Sequence, residues 1–481
     1  MSDRNPRELR NFIGGEFVPA SSPDRDEVID PATGDVVAHA PISTAADVDA
    51  ACRAAAGAFG PWRDTPAGQR QAALLNIAQE IEDRAEELVE LEMRDTGKPR
   101  VPTAADELPS IVDHLRFVAG AARCLDGVPA GEYLEGHTSW LRREPVGVVA
   151  AIAPWNYPLM TAVWKMAPAL ATGNTMVLKP ARETPLTTLA LAELASAHLP
   201  RGVFNVVTGG ARTGQDLACH PAPAMVALTG SVAAGREVAA AAARSLKRVH
   251  LELGGKAPVV VLDDVDVAEV ASQIAEAGYF NAGQDCTAAT RILAHRRIHR
   301  DLIDALADEA RRTRIGLPQD GDTQLGPLIS PKQRERVEGF LDRLPPNATV
   351  VTGGGRPEQP AGGFFLEPAV VSGTAQFDEA IQEEIFGPVL TVQPFEDEAQ
   401  AVELANGVRY GLAASVWTAD LTAALRLTRA LDFGCVWVNT HLPVVAEMPH
   451  GGFKESGYGS DLSVGGLREY TRTKHVMACL E

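Results

Sequence analysis

Between Pro145 and Gly255, short apolar runs alternate with longer stretches of helical periodicity, and this alternation constrains the fold more than any other feature. The short runs are residues 146–153, 175–178, 203–207 and 225–228; the helical ones are 161–171, 187–197 and 232–244. A strand, a helix and a second strand running the same way make a βαβ unit, so the segment predicts a parallel sheet with helices on its faces. A second series, with strands at 259–262 and 292–294 and helices at 266–282 and 300–312, predicts another α/β domain. Ahead of both, residues 45–96 carry Ala-rich apolar positions three and four apart with Glu and Arg between them, the pattern of surface helices.

The 481 residues exceed what one small core organises and suggest two or three domains. Residues 125–143 are short-runned, turn-rich and partly apolar, as expected of a hairpin leaving the body of a domain, and 353–363 reads as a surface loop. There is no internal repeat. The balance of 44 basic against 63 acidic residues, a net charge of −19, argues against nucleic-acid or anionic-membrane partners, which need a basic surface. The six cysteines lack the paired spacing of a zinc site and the density of a disulfide scaffold, so no metal is expected and a reducing compartment is. Residues 1–10 are polar with no apolar core, and no uninterrupted apolar run reaches the roughly 18 residues of a membrane span, so a cytoplasmic location is expected.

The chemistry concentrates in Asn281-Ala282-Gly283-Gln284-Asp285-Cys286-Thr287 and in Leu251-Glu252-Leu253-Gly254-Gly255. A thiol is only a few per cent ionised at neutral pH, so a nucleophilic Cys286 needs a base, and Glu252 is a candidate. The plainer reading, a small buried Cys286 and a helix-end Glu252, holds for such residues in isolation. A third element, Ala151-Ile152-Ala153-Pro154-Trp155-Asn156-Tyr157-Pro158, follows an apolar strand and is stopped by prolines, which puts Asn156 on a strand-end loop where its amide can face an oxyanion.

Set beside Lys179-Pro180, Leu228-Thr229-Gly230-Ser231 and Glu383-Glu384-Ile385-Phe386-Gly387-Pro388, these pieces resemble the NAD(P)-dependent aldehyde dehydrogenase superfamily over nearly the whole chain. Cys286 lies 34 residues after Glu252, a spacing that is also similar to the family's. The resemblance implies an α/β fold with a Rossmann-type cofactor domain (residues 1–121 and 144–254), an α/β catalytic domain (255–455) and a small β oligomerisation arm (122–143 and 456–481) that makes a homodimer or homotetramer. It also implies a sequence of steps. Cys286 adds to the aldehyde, and Asn156 with the Cys286 backbone N–H stabilises the oxyanion. Hydride then leaves, and Glu252 activates water against the thioester. Lys165 and Asp461 match positions that assist proton transfer, or form a packed ion pair. A base at Glu252 implies release of a free acid rather than an acyl-coenzyme A.

No G-x-G-x-x-G follows a strand, so a conventional dinucleotide turn is absent. Thr229, Gly230 and Ser231 instead open a helix after a strand, a setting that suits a pyrophosphate or a simple cap. By resemblance Lys179 binds the adenosine ribose, Trp155 lies beside the cofactor with Ile152 and Leu253, and Glu384 and Phe386 hold the nicotinamide half. Arg182 stands where NAD-preferring relatives carry Glu. Its guanidinium suits the 2′-phosphate of NADP, or it turns to solvent and leaves the ribose of NAD to Lys179 or Glu183. The Gly209–Gly214 turn is one residue shorter than the family's usual version.

By the same resemblance Tyr157, Trp164, Phe280 and Trp437 line the substrate funnel as an aromatic box that attracts ammonium groups, or are ordinary core. Asp285, next to the nucleophile, raises the thiol pKa unless a cationic substrate offsets it, and Glu447 is a second cation partner. The reading is an aminoaldehyde dehydrogenase with 4-aminobutanal as first choice. Betaine aldehyde, 3-aminopropanal, a broad range of aliphatic or aromatic aldehydes and a non-catalytic cofactor-binding protein are the alternatives.

Overall fold

A computed structural model describes residues 6–480; the first five residues of the polar 1–10 segment lie outside that range. Five parallel strands, Val148–Ile152, Thr175–Lys179, Phe204–Val206, Pro223–Thr229 and Arg248–Glu252, form the centre of an eight-stranded sheet. Both faces are covered. Val149, Ala151, Met176 and Leu178 belong to one core cluster, while Val148, Ala150, Val177 and Leu228 belong to another. This two-sided burial explains why the strands read as nearly continuous apolar runs.

The order of the five strands across the sheet runs from Phe204–Val206 through Thr175–Lys179 to Val148–Ile152 and then jumps to Pro223–Thr229 and Arg248–Glu252. Chain order therefore reverses between Val148–Ile152 and Pro223–Thr229, where Ile152 pairs with Leu228. A crevice opens beyond the carboxyl ends of strands at such a switch point, and ligands of open α/β sheets bind there. The 151–158 loop and the Thr229-Gly230-Ser231 turn both leave from this crevice.

A second, seven-stranded sheet follows. Its strands Ala369–Ser372, Val389–Phe395, Arg291–His295, Pro258–Val261, Ala413–Trp417 and Cys435–Val438 are parallel, and Thr349–Thr352 pairs antiparallel at one edge. The 251–258 segment crosses directly from the last parallel strand of the first sheet to the middle of the second. The predicted helices at 45–96 form as Ala45–Asp64, Ala67–Asp83 and Ala85–Thr96. The first is closed by a capping box of Thr44 and Asp47, and the last by left-handed Gly97.

The hairpin reading at 125–143 corresponds to Gly131–Leu134 and His137–Pro145, which form a three-stranded sheet with Thr471–Cys479. The intervening segment behaves differently. Gly457–Tyr458 adds to the edge of the eight-stranded sheet beside Arg248–Glu252, and helix Ser463–Glu469 packs into the first core through Leu467.

Three parts of the local structure depart from the sequence reading. The N-terminal segment contributes strands Asn11–Ile13 and Glu16–Val18 to the large sheet, and Arg25–Ile29 and Val36–Pro41 to a small one. The Gly209–Gly214 turn is largely helix, Ala211–Cys219, starting after Gly210. The helix expected at 266–282 ends at Tyr279, because Asn281, Ala282 and Gly283 adopt left-handed φ of 48°, 54° and 68°. Among the described residues no helix is long and apolar enough to cross a membrane.

Candidate active site

The left-handed turn at 281–283 delivers Cys286 to the junction of the two sheets. Gly283 is required there, since a Cβ would lie 2.2 Å from the Gly387 carbonyl oxygen. At Gly255 a Cβ would meet the carbonyl oxygen of Cys286 at 2.2 Å, so the crossover backbone packs directly on the cysteine loop. Asn281 Nδ2 donates to the Asn156 carbonyl at 3.1 Å, and Asn156 Nδ2 donates to the Gln284 carbonyl at 3.0 Å. Gln284 is anchored in turn by the Ile329 N–H. The loop bearing Asn156 and the loop bearing Cys286 are thus tied to each other. One of the two Asn156 amide hydrogens is used in that tie and the other is free.

Cys286, Glu252 and Asn156 line one cavity of about 550 Å³. Burial, and then the charges of Asp285, Glu384 and Glu252, push the Cys286 thiol well above its usual range. Glu252 ends strand Arg248–Glu252 rather than a helix, is 3% exposed, and has no hydrogen-bond partner among the described residues on either carboxylate oxygen. Burial first, then the charge of Asp461, drives its pKa well up. A desolvated carboxylate with open lone pairs is a stronger base than an exposed one.

Beneath Glu252 lies a buried polar cluster. Lys165 donates to Asp461 at 2.6 Å, with both side chains at most 1% exposed. Against the upward push of burial, Lys165 and His250 hold Asp461 below the usual carboxylate range. His250 Nε2 lies 3.4 Å from Lys165 Nζ, 3.5 Å from Asp461 Oδ1 and 4.0 Å from Glu252 Oε1. The sequence offered no signal for His250 beyond its place two residues before Glu252 on the same strand face.

On the substrate side Tyr157, Trp164, Phe280 and Asp285 all line the cavity. The expected aromatic box needs correction. Trp437 lies outside the cavity, where it packs on His441 at 4.6 Å and donates to the Pro443 carbonyl. Glu447 is exposed and also outside the lining. Tyr157 is already engaged, with the Lys98 ammonium 4.2 Å from its ring centre and its hydroxyl donating to Asp285 at 2.6 Å. The other Asp285 oxygen accepts from Thr287 through both backbone N–H and hydroxyl at 2.6 Å. Lys98 belongs to a buried group with Glu92 and Glu107, unforeseen from sequence. Burial pushes the Glu107 carboxyl up to about 8.

The crevice at the switch point holds the expected cofactor residues. Lys179 ends its strand, is 6% exposed and donates to the Pro180 and Gly209 carbonyls, leaving one ammonium hydrogen; burial lowers it to about 8. The Ile152 side chain and Lys179 both lie beside Gly214 in helix Ala211–Cys219. Ser231 caps helix Val232–Ala243, accepting from the Ala234 N–H, and the Gly230 N–H is taken by the Glu252 carbonyl. Thr229 Oγ1 is buried without a partner among the described residues, and Leu253 lines the same cavity as Thr229.

Across from these, Glu384 accepts from the Gly255 N–H at 2.8 Å and is pushed by burial up to about 7. Trp155 and left-handed Phe386 meet edge to face at 5.2 Å. A buried lysine with a spare donor, an orphaned threonine hydroxyl and a helix start fit a dinucleotide. Arg182 does not point freely into the crevice, because it donates to Asp26 at 2.6 Å.

A nucleotide crevice opening onto a thiol, an amide donor and a desolvated carboxylate defines a class of enzyme, the thiol-dependent oxidoreductases of carbonyl compounds. Residues 17–476 match the model of the aldehyde dehydrogenase family. The chain is 43% identical to the phenylacetaldehyde dehydrogenase of Pseudomonas fluorescens, over 98% of its own length and 96% of that protein's. It also superposes on the NAD+ complex of betaine aldehyde dehydrogenase from Staphylococcus aureus with a TM-score of 0.96 and 37% identity, covering 98% of this chain and 95% of the other. The chain belongs to the aldehyde dehydrogenase family and is an NAD(P)-dependent oxidoreductase acting on aldehydes.

Proposed function

We propose that the protein oxidises a small cationic aldehyde, 4-aminobutanal before betaine aldehyde or 3-aminopropanal, to the free acid with NAD. The observation that carries the substrate class is the charge of the cavity. Its lining includes Asp285 within and exposed Asp106 and Glu276 at the rim, and among the described residues it has no lysine or arginine. Its histidines stay neutral, since burial lowers His441 to about 4 and also lowers His450. Such a funnel attracts cations and repels anionic aldehydes.

In this reading the Cys286 thiol loses its proton to Glu252, directly or through water, and its sulfur adds to the aldehyde carbon. The free Asn156 amide hydrogen and the Cys286 backbone N–H receive the oxyanion. When bound, NAD supplies the acceptor that takes hydride from the thiohemiacetal carbon. Once that proton has left it, Glu252 removes another from the water that attacks the thioester, the C–S bond breaks, and Cys286 leaves as the thiolate. Lys179, Thr229 and Ser231 would hold the adenosine and pyrophosphate half, and Trp155, Glu384 and Phe386 the nicotinamide half. Asp26 neutralises Arg182 and thereby favours NAD over NADP.

A specific observation favours a second reading. Met160, Trp164, Phe280 and Leu442 give the cavity an apolar wall that suits an arylacetaldehyde, as the name of the Pseudomonas relative suggests. The domain assignment follows the same reading, with cofactor held by residues 1–121 and 144–254, chemistry by 255–455, and assembly as a homodimer or homotetramer through the arm at 122–143 and 456–481. Tyr133, Leu134 and Met477 of that arm are exposed apolar residues. A cytoplasmic location completes the proposal.

The test is kcat/KM for 4-aminobutanal, betaine aldehyde, phenylacetaldehyde and hexanal, each with NAD and NADP. Preference for the cationic pair supports the proposal. Higher values for phenylacetaldehyde would transfer the assignment to the apolar wall.

A further inference from the structure

Glu252 is only 3% exposed and faces the cavity that the substrate fills, yet it collects a proton in every turnover and must lose it before the next. We infer that His250 and Glu469 form the exit by which that proton reaches solvent. The inference rests on the reading of Glu252 as the hydrolytic base. His250 is fully buried on the strand that carries Glu252, and its two ring nitrogens face opposite ways along a line of acids. Nε2 faces Glu252, Asp461 and Lys165; Nδ1 lies 3.3 Å from Glu469 Oε2, close enough for a hydrogen bond after a small rotation. Glu469, at the end of helix Ser463–Glu469, is 32% exposed and is the member of the line that meets solvent.

Two details give the line a direction. An ammonium can only donate, so Lys165 makes Nε2 an acceptor and leaves the ring hydrogen on Nδ1, facing the Glu469 carboxylate. A proton arriving at Nε2 from Glu252, across 4.0 Å by one water or one side-chain rotation, releases the Nδ1 proton to Glu469. The space between ring and carboxylate is kept open by left-handed Gly459, where a Cβ would lie 2.7 Å from Glu469 Oε2 and 3.1 Å from His250 Cγ. The Ser460 N–H holds the other Glu469 oxygen at 3.0 Å. Tyr470, whose ring centre is 6.1 Å from the imidazole, completes the titratable groups around it.

The proton balance is complete. Hydrolysis breaks the thioester C–S bond, forms a C–O bond to water and leaves one water proton on Glu252. That proton enters His250 at Nε2 as another leaves Nδ1 for Glu469 and then bulk water, with no redox partner needed. Both residues are positioning residues, acting through Glu252.

The experiment compares His250→Ala, Glu469→Gln and Glu252→Gln in the full-length enzyme. H250A and E469Q are expected to lower kcat about tenfold near neutral pH with KM for aldehyde little changed, and to retain a pre-steady-state burst of reduced cofactor. Added imidazole should restore H250A, an outcome that a packing role would not produce. Unchanged kcat and pH profile in both variants, or a loss in H250A that imidazole does not restore together with normal E469Q, would overturn the exit. E469Q, at the surface, decides the matter if H250A does not fold. Full turnover in E252Q would sink the underlying base assignment, whereas an inactive E252Q beside normal H250A and E469Q would sink the exit alone.

Discussion

The Tyr157 hydroxyl donates to Asp285 at 2.6 Å, so the residue before the nucleophile is held by the aromatic wall of the substrate cavity. That contact joins specificity to thiol chemistry, because the Asp285 charge both faces the cavity and raises the Cys286 pKa. Asp285→Asn keeps a hydrogen-bond acceptor for its neighbours while removing the charge. Alkylation of Cys286 by iodoacetamide should then shift to lower pH. The ratio of kcat/KM for 4-aminobutanal over hexanal should fall about tenfold, and an unchanged ratio would remove Asp285 from the substrate argument.

Asn156→Ala removes the side-chain donor to the oxyanion and also the tie to the Gln284 carbonyl. A loss of roughly 10²–10³ in kcat is expected, in line with removal of one oxyanion donor. Stopped-flow measurement should show the loss in the burst of reduced cofactor itself, which places it before hydrolysis.

The pH dependence follows from the two raised groups. Burial and neighbouring carboxylates lift both Cys286 and Glu252, so at low pH both hold protons; neither can then act as nucleophile or base. Activity should therefore rise with pH above the ordinary carboxylate range, as first Glu252 and then Cys286 lose their protons. In Glu252→Gln the hydrolytic step should lose this rise and fall by a factor on the order of 10²–10⁴. Single-turnover acylation and deacylation rates across pH separate the two contributions.

Arg182 donates to Asp26 at 2.6 Å, and the proposed preference for NAD rests on that contact. Asp26→Asn frees the guanidinium, and the affinity for NADP relative to NAD should increase about tenfold, measured by calorimetric titration. Arg182→Ala should leave NAD binding intact. A wild-type enzyme already preferring NADP would show that Asp26 releases Arg182 on binding.

Legibility in the sequence followed the range of the interactions concerned. The parallel strands and their helices are announced by local periodicity, since a strand buried on both faces must be apolar along its length and a helix must be apolar on one stripe. Glu252, Asn156 and Lys179 stood out because each sits in a distinctive local motif at or just after a strand end, and Cys286 because its motif follows a helix. Gly255 and Gly283 mark close backbone approaches that only the folded chain shows. The early end of the helix at Tyr279 was not readable: Ala282 takes a left-handed conformation that its own propensity disfavours, next to Asn281, which contacts to Asn156 and Gln284 hold in the same region.

What tertiary structure alone decided were the partners brought together across long stretches of chain. Asp26 meets Arg182, Lys98 meets the Tyr157 ring, and His250 stands between Glu252 and Glu469. Trp437, aromatic and near the right motif, was turned away onto His441. Sequence by itself determined the two α/β sheets and the strand-end settings of Asn156 and Lys179, because those depend on periodicity and on backbone turns a few residues long. The environment that sets each pKa, and the partner that occupies or frees each side chain, depends on burial and on residues up to hundreds of positions apart, so only the folded chain could fix them.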